Sequence, residues 1–377
     1  MVLLNFQRWL KQNTDLNFVT IVRRRGSLEP EFARLGETIV IERSAWEKHV
    51  TGRVAKRLGW PRPGSVRRLE ALRDRPYRLI YSNTVTNGAV IEAVARPGVP
   101  IITHVHELNH WIHKSGPENW NQVCRHTTKF VAVSEAVSRN LQESHQVLTD
   151  RIEVVHEFIP VDDKVAPDVS GKMRTQLGIP SDAFVVGGSG AETWRKGKDL
   201  FVQLAISVHR HRPHRPFWFV WVGWEGDEED QRKLKQEIKD AGIVDNFVWT
   251  GEVDDPLEHF ACFDAFALVS RDDPFPLVCL EAALLQKPVL CFDGAGGAPE
   301  LVETDAGFVA PYLDVTAMAE KLILLGENEE LRRKMGARGA AKVRDRFSLG
   351  VQAPRLYQVV ENLLNIPAAA PIAAATA

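Results

Sequence analysis

Short apolar runs rich in β-branched residues alternate with helical segments along nearly the whole chain, and this alternation limits the possible fold more than any other feature. In the first half we predict strands over residues 17–22, 38–41, 77–82, 99–105 and 128–133. In the second half we predict strands over residues 182–190, 216–223, 246–251, 264–270 and 287–293. Strands separated by helices pair in parallel and need helices on both faces of the sheet. The sequence therefore predicts an α/β protein with doubly wound sheets.

The length of the chain indicates two domains. It has 377 residues, and one domain typically takes about 150 residues. Two prolines and a charge cluster interrupt the pattern near 157–172, which places the boundary there. We predict domains over 1–160 and 161–347, a further amphipathic helix over 348–366, and a flexible, low-complexity tail over 367–377.

The start of the chain is unusual for such a domain. An α/β domain of this type opens with its central strand and a glycine-rich turn, whereas this chain opens with an amphipathic helix, VLLNFQRWLKQ. The order predicts that the first strand of the N-terminal domain is missing. Two explanations stay open: the sheet begins elsewhere in the chain, or the chain is an N-terminally truncated form of a longer one.

A basic segment covers residues 51–80, where nine Lys and Arg residues accompany two acidic ones. It could attract an anionic membrane surface, a phosphorylated acceptor or nucleic acid. The alternative is an amphipathic helix with an Arg-rich polar face.

The sequence contains no apolar run near the roughly 20 residues that span a bilayer and no signal peptide, so we expect a cytoplasmic protein. Its four cysteines lack C-x-x-C spacing and are expected to be buried free thiols.

The segment 269–281, VSRDDPFPLVCLE, predicts a strand, a short acidic loop and a helix that begins near Pro276. Proline suits a first helical turn because it has no amide hydrogen to leave unbonded. The amides of Phe275, Leu277 and Val278 would then point out of a helix N-terminus at the carboxyl edge of a parallel sheet. Such an edge binds phosphate through aligned N–H groups and the helix dipole.

Two carboxylates flank this predicted anion site, Asp273 on the loop and Glu281 on the helix. Beside a phosphate they would accept hydrogen bonds from sugar hydroxyls, each worth about 1.5–3 kcal/mol. The alternative is that Asp273 only favours the helix N-terminus and Glu281 faces solvent. A glycine-rich strand-to-helix turn at 187–205 carries Arg195 and Lys196, which could neutralise a diphosphate, although it matches neither the dinucleotide fingerprint nor the P-loop.

These segments resemble family 4 glycosyltransferases. DDPFPLVCLEAALLQKPVLCFDGAGGAPELV is similar to their E-x7-E region, and WRKGKDLF is similar to their upstream Lys-Gly motif. The resemblance covers 128–365, and THVHELN at 103–109 resembles the strand-end histidine segment of the acceptor domain. It implies a GT-B fold, in which two Rossmann-like doubly wound domains face a cleft and a C-terminal helix returns to the N-terminal domain.

The resemblance also implies roles in binding a nucleoside-diphosphate sugar. Lys196 and Arg195 would hold the diphosphate, Glu281 the ribose hydroxyls and Asp273 the donor sugar. The amides at 275–278 would complete the phosphate cradle. The backbone at Thr250, Gly251 and Val253 would meet the base, and His106 would lie close to the reacting sugar.

The sequence departs from the family pattern in three places. Asp273 stands where the family usually has the longer Glu, and Gly190 stands where many members carry a second basic residue. The glycine-rich turn on the acceptor side is absent from the start of the chain.

The histidines of THVHELN also carry an interpretation of their own. His106 follows a predicted strand at the carboxyl edge of its sheet, where ligands bind in such folds; the alternative is a structural histidine. His104 shares its strand face, and His110 and His113 are predicted on the following loop. Glu107 and Asn109 are candidate acceptor contacts. No carboxylate–histidine cluster accompanies the H-x-H pair, so we expect no metal site.

We therefore expect a retaining transferase that moves a hexose-type sugar from a nucleoside-diphosphate sugar to a saccharide or lipid-linked acceptor. The expected process is cell-envelope or exopolysaccharide biosynthesis, without a metal or other cofactor. Peripheral contact with an anionic membrane through 51–80 is expected, and nucleic acid is not. The alternatives are a nucleotide-sugar-binding protein with little or no transferase activity, and an epimerase or phosphorylase of the same architecture.

Overall fold

The contacts of the chain divide it into two units, which are described separately. The computed structural model describes residues 1–42, 64–161, 169–191, 194–211, 216–223 and 228–365. The first unit contains residues 1–132, 147–155 and the described residues from 353 onward, and the second contains 133–146 and 156–352. Among the described residues, no helix has both the length and the apolar character needed to cross a bilayer.

Some sequence predictions lie outside the described residues. These are the stretch 51–63 of the basic segment and the tail at 367–377. In the described remainder of the basic segment, Arg75 pairs with Glu37.

The described part of the first unit contains six short parallel strands in two sheets. The strands are β1 (Thr20–Val22), β2 (Thr38–Val40), β3 (Ile80–Ser82), β4 (Ile101–Val105), β5 (Lys129–Ala132) and β6 (Ile152–Val154). Within the described residues, β1 pairs with β2, and β3 to β6 form a four-stranded sheet in chain order. β4 is buried at every position, which fits a parallel strand covered on both faces.

Outside the gap at 43–63, six helices accompany these strands: α1 (Val2–Asn13), α2 (Glu29–Leu35), α3 (Gly64–Arg73), α4 (Gly88–Val94), α5 (Asn109–Ser115) and α6 (Pro117–His126). The ring of Phe6 on α1 packs against Tyr81 of β3. The prediction of a loop at His110 and His113 is wrong, because both residues lie on α5.

The second unit is built around a six-stranded parallel sheet. Its strands are β7 (Phe184–Ser189), β8 (Phe217–Val222), β9 (Phe247–Trp249), β10 (Ala265–Leu268), β11 (Val289–Phe292) and β12 (Gly307–Ala310). The spatial order is β12-β11-β10-β7-β8-β9, so the direction of winding reverses between β7 and β10. The central strands carry fully buried Val185, Val186 and Phe266, and each large apolar side chain buried in this way stabilises the fold by about 1.5–3 kcal/mol.

Among the residues of this unit that the structure describes there are nine helices: α7 (Glu135–Glu143), α8 (Val169–Gln176), α9 (Lys198–His211), α10 (Glu228–Asp240), α11 (Pro256–Ala261), α12 (Leu277–Leu284), α13 (Ala298–Val302), α14 (Val315–Glu327) and α15 (Glu329–Arg346). The last helix, α16 (Leu349–Leu364), contributes residues to both units. Ser134 caps α7 by accepting a hydrogen bond from the Val137 amide. An Asp, Ser or Asn at this position satisfies an amide that the helix itself leaves unbonded.

The strands are one to several residues shorter than the apolar runs that predicted them. β6 and β12 were not predicted, because Ile152–Val154 and Gly307–Ala310 are too short and too mixed to give a period.

Candidate functional site

The reversal of strand order between β7 and β10 locates a candidate ligand site in the second unit. Both strands run parallel, with Ala265 paired to Val186, so both end at the same edge of the sheet. β7 leads into the turn Trp194–Lys196, and β10 leads into the loop 269–276. Ligands of open α/β sheets bind at such a reversal because the neighbouring loops diverge and leave a crevice.

An ion pair joins these two loops. Nζ of Lys196 lies 2.6 Å from Oδ2 of Asp273, and the two side chains are only 15% and 7% exposed. The hydroxyl of Ser270 donates a second hydrogen bond to the same oxygen, at 3.0 Å. The structure thus brings together two residues that the sequence placed in the same site, and it pairs them directly.

Arg195 adds a second positive charge. Its NH1 donates to the carbonyl of Asp272 at 3.0 Å and lies 3.6 Å from Oδ1 of Asp273. Its Nε is buried and, within the described part of the chain, has no hydrogen-bond partner. A buried donor without a partner costs about 1–3 kcal/mol, so this atom favours an anionic ligand.

Glycines allow the Lys196 turn to lie against the end of β10. Gly197 has a φ of +70°, and a Cβ there would come within 2.0 Å of the Val269 carbonyl oxygen. A Cβ at Gly190 would lie 3.1 Å from Cγ of Lys196. The Lys-Gly motif therefore has a steric cause, since only glycine permits both the turn and the close approach.

The loop after β11 fixes the backbone of Asp273. The Asp273 amide donates to the carbonyl of Ala295 at 2.7 Å, and the Gly297 amide donates back to the Asp273 carbonyl at 3.2 Å. Gly296 has a φ of +138°, and a Cβ there would lie 1.8 Å from the Asp273 oxygen. The GAGG sequence thus lets two loops pair closely enough to hold the carboxylate in place.

The helix that follows the loop 269–276 after β10 begins one residue beyond Pro276. Pro276 is the N-cap, with extended backbone angles, and α12 starts at Leu277. Leu277 and Val278 therefore lie in the first turn, where amides have no carbonyl partner within the helix. The side chain of Phe275 is buried and packs on His156, so only its backbone is a candidate for ligand binding.

Glu281 lies on α12 and is partly buried. Burial raises the pKa of this carboxyl above its ordinary value, and the nearby charge of Asp255 adds to the effect. A carboxylate with little access to solvent is stabilised by hydrogen bonds from hydroxyl groups.

The predicted base-binding residues lie at the carboxyl end of β9. Thr250 donates its amide to the Trp221 carbonyl at 3.1 Å, and the Gly251 carbonyl accepts from the Gly223 amide at 3.0 Å. Val253 follows on the same loop. These residues share the carboxyl edge with Lys196 and Asp273 because β8 and β9 continue the sheet beyond β7.

In the first unit, His106 follows β4 and lies beside His104. The two ring centroids are 4.2 Å apart, and Nε2 of His106 is 3.1 Å from Oδ1 of Asn83. His104 is buried, and its Nδ1 is 2.5 Å from the Tyr81 hydroxyl. Burial lowers the pKa of His104 well below its ordinary value, and His106 contributes to this. His104 is therefore neutral near pH 7.

The two candidate acceptor contacts, Glu107 and Asn109, lie in different surroundings. The Glu107 carboxylate accepts hydrogen bonds from the Thr84 hydroxyl and from the amides of Val85 and His106. These bonds tie the end of β4 to the loop after β3, which gives Glu107 a structural task. Asn109 is the first residue of α5.

Sequence reasoning missed two residues that contact the predicted site residues. Ser270 lies three positions before Asp273, and this spacing could have identified it. Asn83 follows β3, and its position at a strand end was the available signal. Within the described residues no group of His, Cys, Asp or Glu side chains could hold a metal ion.

Comparisons with known proteins agree with this architecture. The sequence model described as "Glycosyltransferase Family 4" matches residues 8–163, and that described as "Glycosyl transferases group 1" matches residues 169–342. The structure of Anabaena HepE in complex with UDP and glucose superimposes with a TM-score of 0.79 at 20% identity, covering 96% of this chain and 95% of that one.

Two sequence relatives are also similar. The lipopolysaccharide core biosynthesis mannosyltransferase LpsB of Rhizobium meliloti (strain 1021) is 25% identical over 250 residues, which is 65% of this chain and 69% of the relative. The N-acetyl-alpha-D-glucosaminyl L-malate synthase of Bacillus anthracis is 34% identical over 113 residues, which is 30% of this chain and 29% of the relative.

The parallel sheets and the structural likeness show the GT-B fold. Two family models together match most of the chain. The protein belongs to glycosyltransferase family 4, as its motifs predicted.

Proposed function

We propose that this glycosyltransferase transfers a hexose from a nucleoside-diphosphate sugar, with retention at the anomeric carbon, to a saccharide or lipid-linked acceptor during cell-envelope or exopolysaccharide assembly. The observation that carries the proposal is the convergence of Lys196 and Arg195 on Asp273 at the strand reversal. In this cluster two cations lie against one carboxylate, so the cluster itself carries a net positive charge, which suits a diphosphate.

The main task in glycosyl transfer is to stabilise negative charge on the leaving diphosphate. As the bond from the anomeric carbon to the phosphate oxygen breaks, its electron pair passes to that oxygen. We propose that Lys196, the Nε of Arg195 and the first-turn amides of Leu277 and Val278 stabilise this charge. The proposal needs no metal or other cofactor, because these groups supply the positive charge.

The carboxylates are proposed to bind sugar hydroxyls. Asp273 is held by Lys196, by Ser270 and by its own backbone pairing, so it offers a fixed acceptor to the donor sugar. Glu281 would bind the ribose hydroxyls, and the backbone of Thr250, Gly251 and Val253 would bind the base.

The preferred mechanism is a front-face displacement. The acceptor oxygen bonds to the anomeric carbon on the side that the diphosphate leaves, and the acceptor proton moves to the departing phosphate oxygen. This choice is motivated by the dense arrangement of cations and amides around the proposed leaving group. In the first unit, His106 is proposed to lie near the reacting sugar, oriented by Asn83.

The names of the relatives support the proposed process and donor. LpsB is named for lipopolysaccharide core biosynthesis, and a Staphylococcus aureus relative, CapM, is named for capsular polysaccharide biosynthesis. HepE was solved with UDP and glucose, so a uridine nucleotide is the first donor to test.

The test combines a binding screen with a product analysis. A thermal-shift screen of nucleoside diphosphates identifies the donor, because a ligand at 100 times its Kd adds about 2.7 kcal/mol of stability. Transfer from the matching sugar nucleotide is then followed by NMR of the anomeric proton, with and without a chelator. Product with the donor's configuration supports the proposal. An inverted product removes the front-face mechanism, and nucleotide binding without transfer to any acceptor supports a binding protein instead.

A further inference from the structure

The ends of β1, β3 and β4 in the first unit are connected by side chains. Arg23, directly after β1, donates from NH1 to the Thr86 carbonyl at 2.9 Å and to the Thr86 hydroxyl at 3.2 Å. The same atom donates to Oδ1 of Asn87 at 3.4 Å. Thr86 and Asn87 belong to the turn that follows β3.

The same turn reaches His106. Asn83, which begins the turn, contacts the His106 ring after β4. The Glu107 carboxylate holds this turn in place by accepting hydrogen bonds from the Thr84 hydroxyl and the Val85 amide. Arg23 and His106 therefore belong to one hydrogen-bonded rim at the carboxyl edge of the strands, and the turn between them is held in place.

Arg23 brings a charge that these contacts do not balance. Its three hydrogen bonds go to neutral oxygens, and its side chain is exposed. All three use NH1, while Nε and NH2 are the pair of donors that a guanidinium offers to a phosphate in a bidentate contact.

Further arginines lie nearby. Arg24 and Arg25 follow in the chain, and Arg25 pairs with Glu29. Arg68 on α3 donates to the backbone carbonyl of Glu42, the residue whose carboxylate accepts from the Arg25 amide. Among the described residues, the carboxylates that contact these arginines or the turn are Glu29, Glu42 and Glu107, so the four arginines exceed them by one charge.

We propose that Arg23 binds a phosphate group carried by the acceptor substrate, on the same rim as His106. This inference rests on the proposed function, because it assigns the chemical class of the acceptor. A neutral saccharide would not need a guanidinium held on the turn that also contacts His106, the residue proposed to lie near the reacting sugar. The phosphate could be part of a soluble sugar phosphate or of a lipid headgroup, since both present the same oxygens.

The test measures binding to the intact protein by calorimetry, with variant Arg23→Gln and a matched control, Arg34→Gln. Arg34 is an exposed arginine on α2 that pairs with Glu31. The soluble probes are inorganic phosphate, glucose 1-phosphate and mannose 6-phosphate, and glucose and mannose are their uncharged control ligands. The vesicle probe is phosphatidylglycerol in phosphatidylcholine, with pure phosphatidylcholine as its partner.

We expect at least one phosphate probe to bind the unaltered protein at least tenfold more tightly than its neutral partner. Arg23→Gln should remove that preference, whereas Arg34→Gln should keep it. If the Arg23-dependent preference is seen with the soluble probes, the acceptor is a sugar phosphate. If it is seen with the vesicles alone, the acceptor carries a lipid phosphate. The proposal is wrong if no probe distinguishes Arg23→Gln from Arg34→Gln, or if neutral sugars lose as much affinity as phosphates.

A nucleoside diphosphate titration separates this proposal from the proposed function. The donor residues belong to the second unit, so Arg23→Gln should bind the nucleotide as the unaltered protein does. Loss of nucleotide binding together with a lowered melting temperature would mean that Arg23 only secures the turn, which also overturns the proposal. If nucleotide never binds the unaltered protein, the proposed function fails independently of Arg23.

Discussion

The Lys196 ammonium lies 2.6 Å from the Asp273 carboxylate, across two loops that are 77 positions apart in the chain. Because Asp273 also accepts from Ser270, it keeps a hydrogen bond when Lys196 turns to an anion. The diphosphate of a donor would therefore compete with a carboxylate for this lysine. The exchange would leave Asp273 free to accept a sugar hydroxyl.

Replacement of Lys196 tests this relationship. We expect Lys196→Met to lower the transfer rate by about 10²–10³, the usual effect of removing one group that stabilises developing charge. It should also lower the free energy of unfolding by about 1–3 kcal/mol, because Asp273 loses one charged partner while Arg195 and Ser270 remain beside it. Chemical denaturation and initial rates measure the two effects. The matched double variant Lys196→Met/Asp273→Asn should recover much of the stability and none of the rate; recovery of both would contradict the role of Lys196.

Replacement of Glu281 tests the proposed ribose contact. Glu281→Gln replaces a charged acceptor by a neutral one, and the loss of about 1.5–3 kcal/mol corresponds to roughly 10- to 150-fold in Kd. Titration with the nucleoside diphosphate gives this value. Glu258, exposed on α11, is the control, and Glu258→Gln should bind as the unaltered protein does. Equal affinity of both variants would show that Glu281 makes no contact with the nucleotide.

Gly296 tests whether the two loops must pair for the site to work. A Cβ at this position would lie 1.8 Å from the Asp273 carbonyl oxygen, and its φ of +138° disfavours any other residue. We expect Gly296→Ala to lower the free energy of unfolding by about 2–4 kcal/mol through strain and overpacking, and to lower the transfer rate because Asp273 moves. Gly350→Ala is the control, since nothing lies within 4 Å of its Cβ position. A Gly296→Ala protein that melts as the Gly350→Ala protein does would refute this account.

His104 gives a prediction on pH. Its pKa is lowered well below the ordinary value by burial, so the unfolded chain takes up a proton near pH 6.5 while the folded protein does not. Stability should be fully present above pH 6.5 and fall as the pH decreases toward the folded pKa, by at most about 1.4 kcal/mol per pH unit. Urea denaturation between pH 8 and pH 5 measures the slope. His104→Gln should make the dependence of the free energy of unfolding on pH shallower, by an amount that corresponds to the uptake of up to one proton on unfolding. An unchanged slope would show that His104 does not cause it.

The sequence predicted the β-strands and helices around the site because its signals there are local. The runs at 182–190 and 264–270 contain β7 and β10. It did not predict α5, because the His-rich stretch after β4 has no apolar period. Nor did it predict the contact between Asn83 and His106, since the order of strands in a sheet cannot be read from spacing along the chain.

What the sequence alone determined is the α/β class, the family and the residue types gathered around a diphosphate site, since each depends on short motifs and on the period of apolar residues. Only the tertiary structure decided that Lys196 pairs with Asp273, that Gly296 fixes that carboxylate from a third loop, and that Arg23 and His106 share one rim. These contacts join residues far apart in the chain, and sheet order and loop packing, rather than local propensity, bring them within hydrogen-bond distance.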